Sequence, residues 1–267
     1  MACMKNIRGF LIDLDGVMYV GDSPVEGAVE TLDFLENHGY KYRFVSNTTR
    51  KSRKTIVERL SKMGLDIPEK YIFTPPLAAI TFMKNAGKSR CRLLVTGDVG
   101  RDFQQVSEYG PGDLVDFVVI GDAGDKITYD SMNTAFRALM DGAELIALEK
   151  DRYWMAPDGL ALSAGPFVSA LEFASGKTAV VVGKPSKDFF RLALNDMEIN
   201  PEQAAMIGDD ITTDIGGAQI AGMKGILVRT GKSREDRMKK SDVKPDYIVD
   251  SIAGLKDLLQ SDSGKKA

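Results

Sequence analysis

Short apolar runs that stop at Asp, Ser or Gly alternate with helical patterns along the whole chain, which is the signature of βαβ units built on a parallel sheet. The run from Ile7 to Ile12 stops at Asp13. Val25, Ala28, Val29, Leu32 and Leu35 then recur at helical spacing, and Gly39 follows as a stop signal. A second run, Tyr40 to Val45, opens onto Ser46-Asn47-Thr48-Thr49. Ile56, Val57, Leu60 and Met63 mark the next helix face, and Tyr71 to Phe73 read as a third strand ahead of Thr74-Pro75-Pro76.

Beyond those prolines the alternation restarts with its own set: a helix from about Leu77, and strands at Arg92 to Val95, Val115 to Ile120 and Leu145 to Leu148. These are enough elements for a separate core. The first pattern resumes with a strand at Ala179 to Val182, a helix around Phe189 to Leu194, and a strand at Ala204 to Ile207. A helix through Ala221 and strands at Ile226 to Val228 and Tyr247 to Val249 complete it. The expectation is one Rossmann-like α/β domain, residues 1–77 and 179–260, interrupted by an inserted α/β domain over 78–178. The polar tail 261–267 is expected to fray.

Composition removes several classes of function. Lys and Arg total 35 against 38 for Asp and Glu, a formal charge of -3 without single-sign blocks, which argues against nucleic acid or a membrane surface as partner. No apolar run approaches the roughly 20 residues of a membrane span, and Met1 to Arg8 lacks a secretory segment, so a cytoplasmic protein is expected. Two cysteines, Cys3 and Cys91, cannot supply a disulfide framework or a four-thiolate zinc site. The single histidine, His38, stands beside Gly39 where a helix should end, and reads as a helix-ending residue. Chemistry must therefore run on carboxylates, hydroxyls and lysine.

In an open parallel sheet the ligand crevice lies beyond the carboxyl ends of the strands. Those ends carry Asp13-Leu14-Asp15-Gly16, Ser46-Asn47, Gly183-Lys184-Pro185 and Gly208-Asp209-Asp210, with Asp214 a turn further on. Like charges about 4 Å apart repel by roughly 4 kcal/mol per pair at an effective dielectric near 20, so such a cluster calls for a hard divalent cation. Mg²⁺ suits a few carboxylates, waters and a substrate phosphate. With the cation and Lys184 offsetting its charge, a phosphate dianion could take hydrogen bonds from Ser46 and the amides after Asp13. Asp13 is then placed as a nucleophile and Asp15 as the acid-base group. Gly97-Asp98 and Gly121-Asp122 look like Gly208-Asp209 but lack the further acids, and read as structural loops. The basic run Arg50-Lys51-Ser52-Arg53-Lys54 reads as a solvated helix start.

These motifs together resemble the haloacid dehalogenase superfamily: Asp13-Leu14-Asp15-Gly16-Val17, Ser46-Asn47-Thr48-Thr49, Gly183-Lys184-Pro185 and Gly208-Asp209-Asp210-Ile211-Thr212-Thr213-Asp214. The long insertion between the second and third resembles the C2-type cap of the NagD-like branch. The resemblance implies a Mg²⁺-dependent phosphatase acting on a small phosphorylated substrate through an aspartyl-phosphate on Asp13. It makes Asp13, Asp209 and the main-chain carbonyl of Asp15 the metal ligands. Leu14, Ser46, Asn47 and Lys184 join Asp13 and Asp15 around the phosphate, and Asp210 and Asp214 become outer groups orienting waters and Lys184. Glu149 stands where relatives of the branch carry a histidine, and Tyr153 and Trp154 either line a substrate pocket or fill the cap core. Members of the branch often pair through their caps, which leaves a cap-mediated homodimer as one open assembly. A phosphotransferase or inorganic pyrophosphatase on the same site, and a phosphate-binding module that does not hydrolyse, are the alternatives.

Overall fold

Residues 9–13 extend as strand β1 (Gly9–Asp13), buried at all five positions, as a strand covered on both faces of a parallel sheet must be. The chain is seen here in a computed structural model that describes residues 4–263 other than 111, 157, 234–237 and 239–240. It forms two compact units. One takes the chain up to Ser46, then Val57–Phe73 and everything from Lys184, and the other takes Asn47–Ile56 and Thr74–Gly183.

In the first unit β1 is followed by the small hairpin β2 (Tyr19–Val20) and β3 (Ser23–Pro24). Helix α1 (Ala28–Asn37) buries Ala28, Thr31 and Leu35. It closes at His38, whose Nδ1 lies 2.8 Å from the Phe34 carbonyl and whose ring stacks on Phe34. Strand β4 (Lys41–Val45), helix α2 (Arg53–Lys62) and β5 (Ile72–Phe73) follow. The second unit contributes the next elements in chain order: α3 (Pro75–Asn85), β6 (Arg90–Leu94), β7 (Ser107–Glu108), β8 (Phe117–Ile120) and α4 (Tyr129–Met140). Then come β9 (Glu144–Ala147), the antiparallel pair β10 (Tyr153–Ala156) and β11 (Gly159–Leu162), α5 (Gly165–Ser175) and β12 (Val180–Val181). Back in the first unit, α6 (Lys187–Met197) is capped by the Ser186 side chain and buries Phe189, Phe190, Ala193, Leu194 and Met197 on one face. β13 (Ala204–Gly208), α7 (Gly217–Ile220), β14 (Lys224–Val228), β15 (Tyr247–Val249) and a last helix, Gly254–Ser263, complete it.

Each unit has its own parallel sheet. The first runs β15-β14-β13-β1-β4-β5, with β1 between β4, which follows it closely in sequence, and β13, which is far from it. The second runs β12-β9-β8-β6-β7. Its core packs Val118, Ile120, Leu139, Leu145, Val168 and Leu171 from strands and helices of the same unit. This is the Rossmann-like domain with an inserted α/β cap that the alternation predicts.

One strand changes sheets relative to expectation. The run at Ala179–Val182 pairs with β9, Val180 opposite Ile146, and the first unit resumes only at Lys184. Apolar character states that a strand is buried, and it does not say which sheet receives it. The tail also begins later than 261, because the last helix holds Ser261, whose Oγ donates to the Leu258 carbonyl at 3.0 Å. Residues 264–267 and Cys3 lie outside the described residues, and Cys91 is buried in β6. Among the described residues no helix is long and apolar enough to cross a membrane.

Candidate active site

Parallel register brings the polar strand ends of the first unit to one edge. Asp13 is opposite Val45, so Ser46 lies just past the end of β4, and Ile12 is opposite Ile207, which places Gly208 at the last position of β13 and Asp209 just beyond it on the other side. After Asp13 the backbone turns tightly. Met18 donates its N–H to the Leu14 carbonyl at 2.9 Å and Gly16 donates to the Tyr19 carbonyl at 2.7 Å, with Gly16 at φ 87°. That conformation suits glycine. Asp15 is exposed on this turn, while Asp13 is 8% exposed.

Lys184 is the hub of the site. Its Nζ donates to Asp13 Oδ1 at 2.8 Å and to Asp214 Oδ1 at 2.7 Å, and all three side chains are buried. Asp13, Asp209 and Asp214 each bring one carboxylate oxygen within 4.8 Å of the others. Burial pushes the Asp13 carboxyl up against the pull of Lys184, and pushes Asp214 up to about 6. Burial also raises Asp209. Desolvation acts the other way on Lys184, but Asp13 and Asp214 outweigh it and hold the ammonium above its ordinary range. Three buried acids against one ammonium leave the cluster electron-rich, and every donor is a hard oxygen. Such a set fits a small divalent cation such as Mg²⁺ and not a soft metal.

The remaining predicted residues take distinct places. Asp214, expected as an outer group orienting Lys184, accepts its Nζ on Oδ1 and the Asp210 N–H at 3.1 Å on Oδ2, and it also brings an oxygen within 4.8 Å of the Asp13 and Asp209 carboxylates. Asp210 caps the helical turn after it, accepting from the Thr212 and Thr213 amides at 2.9 Å each. Burial would raise its carboxyl, but those amides prevail and hold it low. Ser46 donates its N–H to the Phe73 carbonyl at 3.2 Å, and Asn47 opens the second unit. In that unit Glu149 is 3% exposed: Oε1 accepts from Ser163 Oγ at 2.6 Å and the Ala164 amide at 2.8 Å, and Oε2 accepts from the Asp151 amide at 2.5 Å. It therefore ties the chain before β10 to the chain after β11. Tyr153 and Trp154 are 56% and 37% exposed on that hairpin, so they do not fill the cap core. Tyr153 lines a cleft of about 460 Å³ with Lys150, Arg152, Leu162 and Pro166.

The two look-alike motifs do structural work. Asp98 accepts from Ser52 N and Oγ and from Thr55 Oγ1 at the start of α2, and Asp122 accepts the Gly124 amide and pairs with Arg50 at 3.4 Å. Three residues of the site escaped sequence reasoning. Thr230 Oγ1 donates to the Gly16 carbonyl at 2.5 Å, the Lys232 amide donates to Asp209 Oδ2 at 2.6 Å, and Gly231 lies between them at φ 69°. The one signal that could have found them is their position beyond the carboxyl end of β14.

The chain is similar to known proteins in sequence and in fold. A family model described as haloacid dehalogenase-like hydrolase matches residues 10–110, and one described as HAD-hydrolase-like matches 181–255. Haloacid dehalogenase-like hydrolase domain-containing protein 2 of Rattus norvegicus is 44% identical over 252 residues, covering 94% of this chain and 95% of its own. Phospholysine phosphohistidine inorganic pyrophosphate phosphatase of Homo sapiens is 40% identical over 268 residues, covering 98% and 97%. Among solved structures, 4-nitrophenylphosphatase from Thermotoga maritima superposes with a TM-score of 0.85 at 27% identity, covering 96% of this chain and 99% of that one. NagD from E. coli K-12 gives 0.81 at 26%, covering 92% and 97%. With likeness of this extent in both sequence and structure, the chain belongs to the haloacid dehalogenase-like hydrolases, as a phosphatase of the NagD-like branch.

Proposed function

We propose that the protein hydrolyses a small phosphorylated metabolite in a Mg²⁺-dependent reaction that passes through an aspartyl-phosphate on Asp13. The observation that carries this reading is the Lys184 ammonium, shared by Asp13 and Asp214 at 2.8 and 2.7 Å inside a buried acidic cluster. Asp13, Asp209 and Asp214, with the main-chain carbonyl of Asp15, would hold the cation. When bound, it supplies positive charge against the phosphoryl oxygens as negative charge builds on them. Ser46, Asn47, Lys184 and the amides of Leu14 and Asp15 would grip the phosphate.

In the first half-reaction a carboxylate oxygen of Asp13 forms a bond to phosphorus and the bond to the leaving oxygen breaks. Asp15 gives its proton to that oxygen, so the leaving group departs as a neutral alcohol. In the second, Asp15 takes a proton from water as the water oxygen bonds to phosphorus. The Asp13–phosphorus bond breaks, and inorganic phosphate and a regenerated carboxylate remain. Lys184 orients Asp13 throughout and opposes the charge of the phosphoryl group.

Similarity to a protein named for phospholysine, phosphohistidine and pyrophosphate makes phosphoramidates and pyrophosphate the first substrates to test beside phosphate monoesters. The test measures phosphate release from p-nitrophenyl phosphate and from such a panel, with Mg²⁺ and with chelator. Asp13→Asn should abolish release while the circular dichroism spectrum stays that of the parent. Near-normal turnover by that variant would remove Asp13 from the chemistry, and transfer of phosphate to an added alcohol without net release would convert the reading to a phosphotransferase.

A further inference from the structure

The segment after β14 contributes no carboxylate and belongs to none of the four motifs, yet it closes on two of them at once. Thr230 Oγ1 donates to the carbonyl of Gly16, in the turn that carries Asp13 and Asp15, at 2.5 Å. Two residues on, the Lys232 amide donates to Asp209 Oδ2 at 2.6 Å. Between them Gly231 presses against both partners. A Cβ there would lie 2.1 Å from Asp209 Oδ2 and 2.5 Å from Gly16 Cα, and a Cβ at Gly16 would likewise meet Asp209 Oδ2 at 2.1 Å. Both glycines have positive φ, 87° and 69°, so backbone conformation and lack of space select the same residue at each place.

A carboxylate on a single-bonded stem can rotate, and a cation ligand that rotates is a weak one. The Lys232 amide fixes one oxygen of Asp209 and thereby the rotation of the whole group. Thr230 fixes the distance between the first turn and the strand end that carries Asp209. From this we infer that Thr230-Gly231-Lys232 is a positioning strap for the cation site, acting through Asp209 and the Gly16 carbonyl and not by touching substrate. The inference rests on the reading of Asp13, Asp209 and Asp214 as the Mg²⁺ site. Outer hydrogen-bond partners of metal ligands typically govern affinity by about 10–100-fold, and an effect in that range is expected here.

The experiment titrates metal-free protein with Mg²⁺ by isothermal calorimetry and by the rise in melting temperature, and separately measures the Mg²⁺ concentration that half-activates p-nitrophenyl phosphate hydrolysis. Thr230→Val removes the hydroxyl at almost constant volume, Thr230→Ser restores it, and Gly231→Ala inserts the colliding methyl. Asp209→Asn serves as the control for the site itself. Thr230→Val and Gly231→Ala should each weaken Mg²⁺ binding by about tenfold or more, with Thr230→Ser close to the parent. Should Gly231→Ala not fold, Thr230→Val against Thr230→Ser decides alone. Mg²⁺ binding by Thr230→Val within twofold of the parent, while Asp209→Asn loses it, overturns the strap. A parent that binds no Mg²⁺, or an Asp209→Asn variant that binds it normally, instead overturns the metal-site reading beneath it.

Discussion

Lys184→Met in chelator gives the sharpest test of the buried electrostatics. Methionine nearly keeps the volume of lysine, so the substitution removes charge without opening a large cavity. Two ion pairs, at 2.8 and 2.7 Å, lose their common cation, and the Asp13 and Asp214 carboxylates stay in largely dehydrated surroundings. Removing one partner of a buried pair costs about 3–5 kcal/mol. For a chain of this size each kcal/mol moves the melting temperature by about 2–4 °C, so a fall of roughly 6–20 °C is expected at pH 8. The sign of the pH dependence follows from the acids. Asp214 already sits at about 6, above its ordinary 3.8, and the loss of Lys184 raises it and Asp13 further. A carboxyl whose folded value is raised stabilises the fold at pH below its unfolded value and loses that contribution as pH rises through the folded one. The deficit should therefore be small near pH 4 and open as pH climbs past 6. Calorimetric melts of parent and variant across that range read it directly. Curves that differ by less than 2 °C at pH 8, or a deficit that grows toward acid, would refute the claim that the ammonium holds two ionised acids in place.

Two further substitutions probe the second unit. Asp98→Ala removes the acceptor shared by Ser52 N, Ser52 Oγ and Thr55 Oγ1 and should cost about 1–2 kcal/mol in urea unfolding at neutral pH. Those donors, working against a desolvation that would raise the carboxyl, hold Asp98 near 2, below its ordinary 3.8. Its contribution is present above 3.8, and the gap between parent and variant should narrow as pH falls below that value. Glu149→Ala strands three donors and should loosen the hairpin it ties, at about 1–3 kcal/mol. Trp154, the single tryptophan, reports that loosening through its emission and its quenching by acrylamide. An unchanged fluorescence would contradict the tie.

Much of the site was legible because its groups are side chains at strand ends. Asp13 and Asp209 announce themselves as acids after buried apolar runs, and the parallel register of β1 with β13 brings them to one edge, where Asp214 and Lys184 join them from outside the strands. The strap was not legible for the opposite reason: it works through a main-chain amide, a hydroxyl and a missing side chain, none of which marks a sequence. The strand Val180–Val181 shows a second limit, since its apolar residues suit either sheet and only pairing with Ile146 and Ala147 decides. Glu149 shows a third. Its residue type does not announce the three local donors that make it a tie.

The position of β1 in its sheet has a consequence for biosynthesis. One of its two partners, β4, emerges soon after it, but the other, beginning at Ala204, is the product of a much later stretch of message. Until then an apolar ladder edge, Gly9-Phe10-Leu11-Ile12, has no native cover on that side while the whole insertion is being made. Such an edge is an invitation to mispairing, so a nascent chain of this protein should depend on holding factors at the ribosome, and translation products that stop short of residue 204 should aggregate and lack any phosphate-releasing activity.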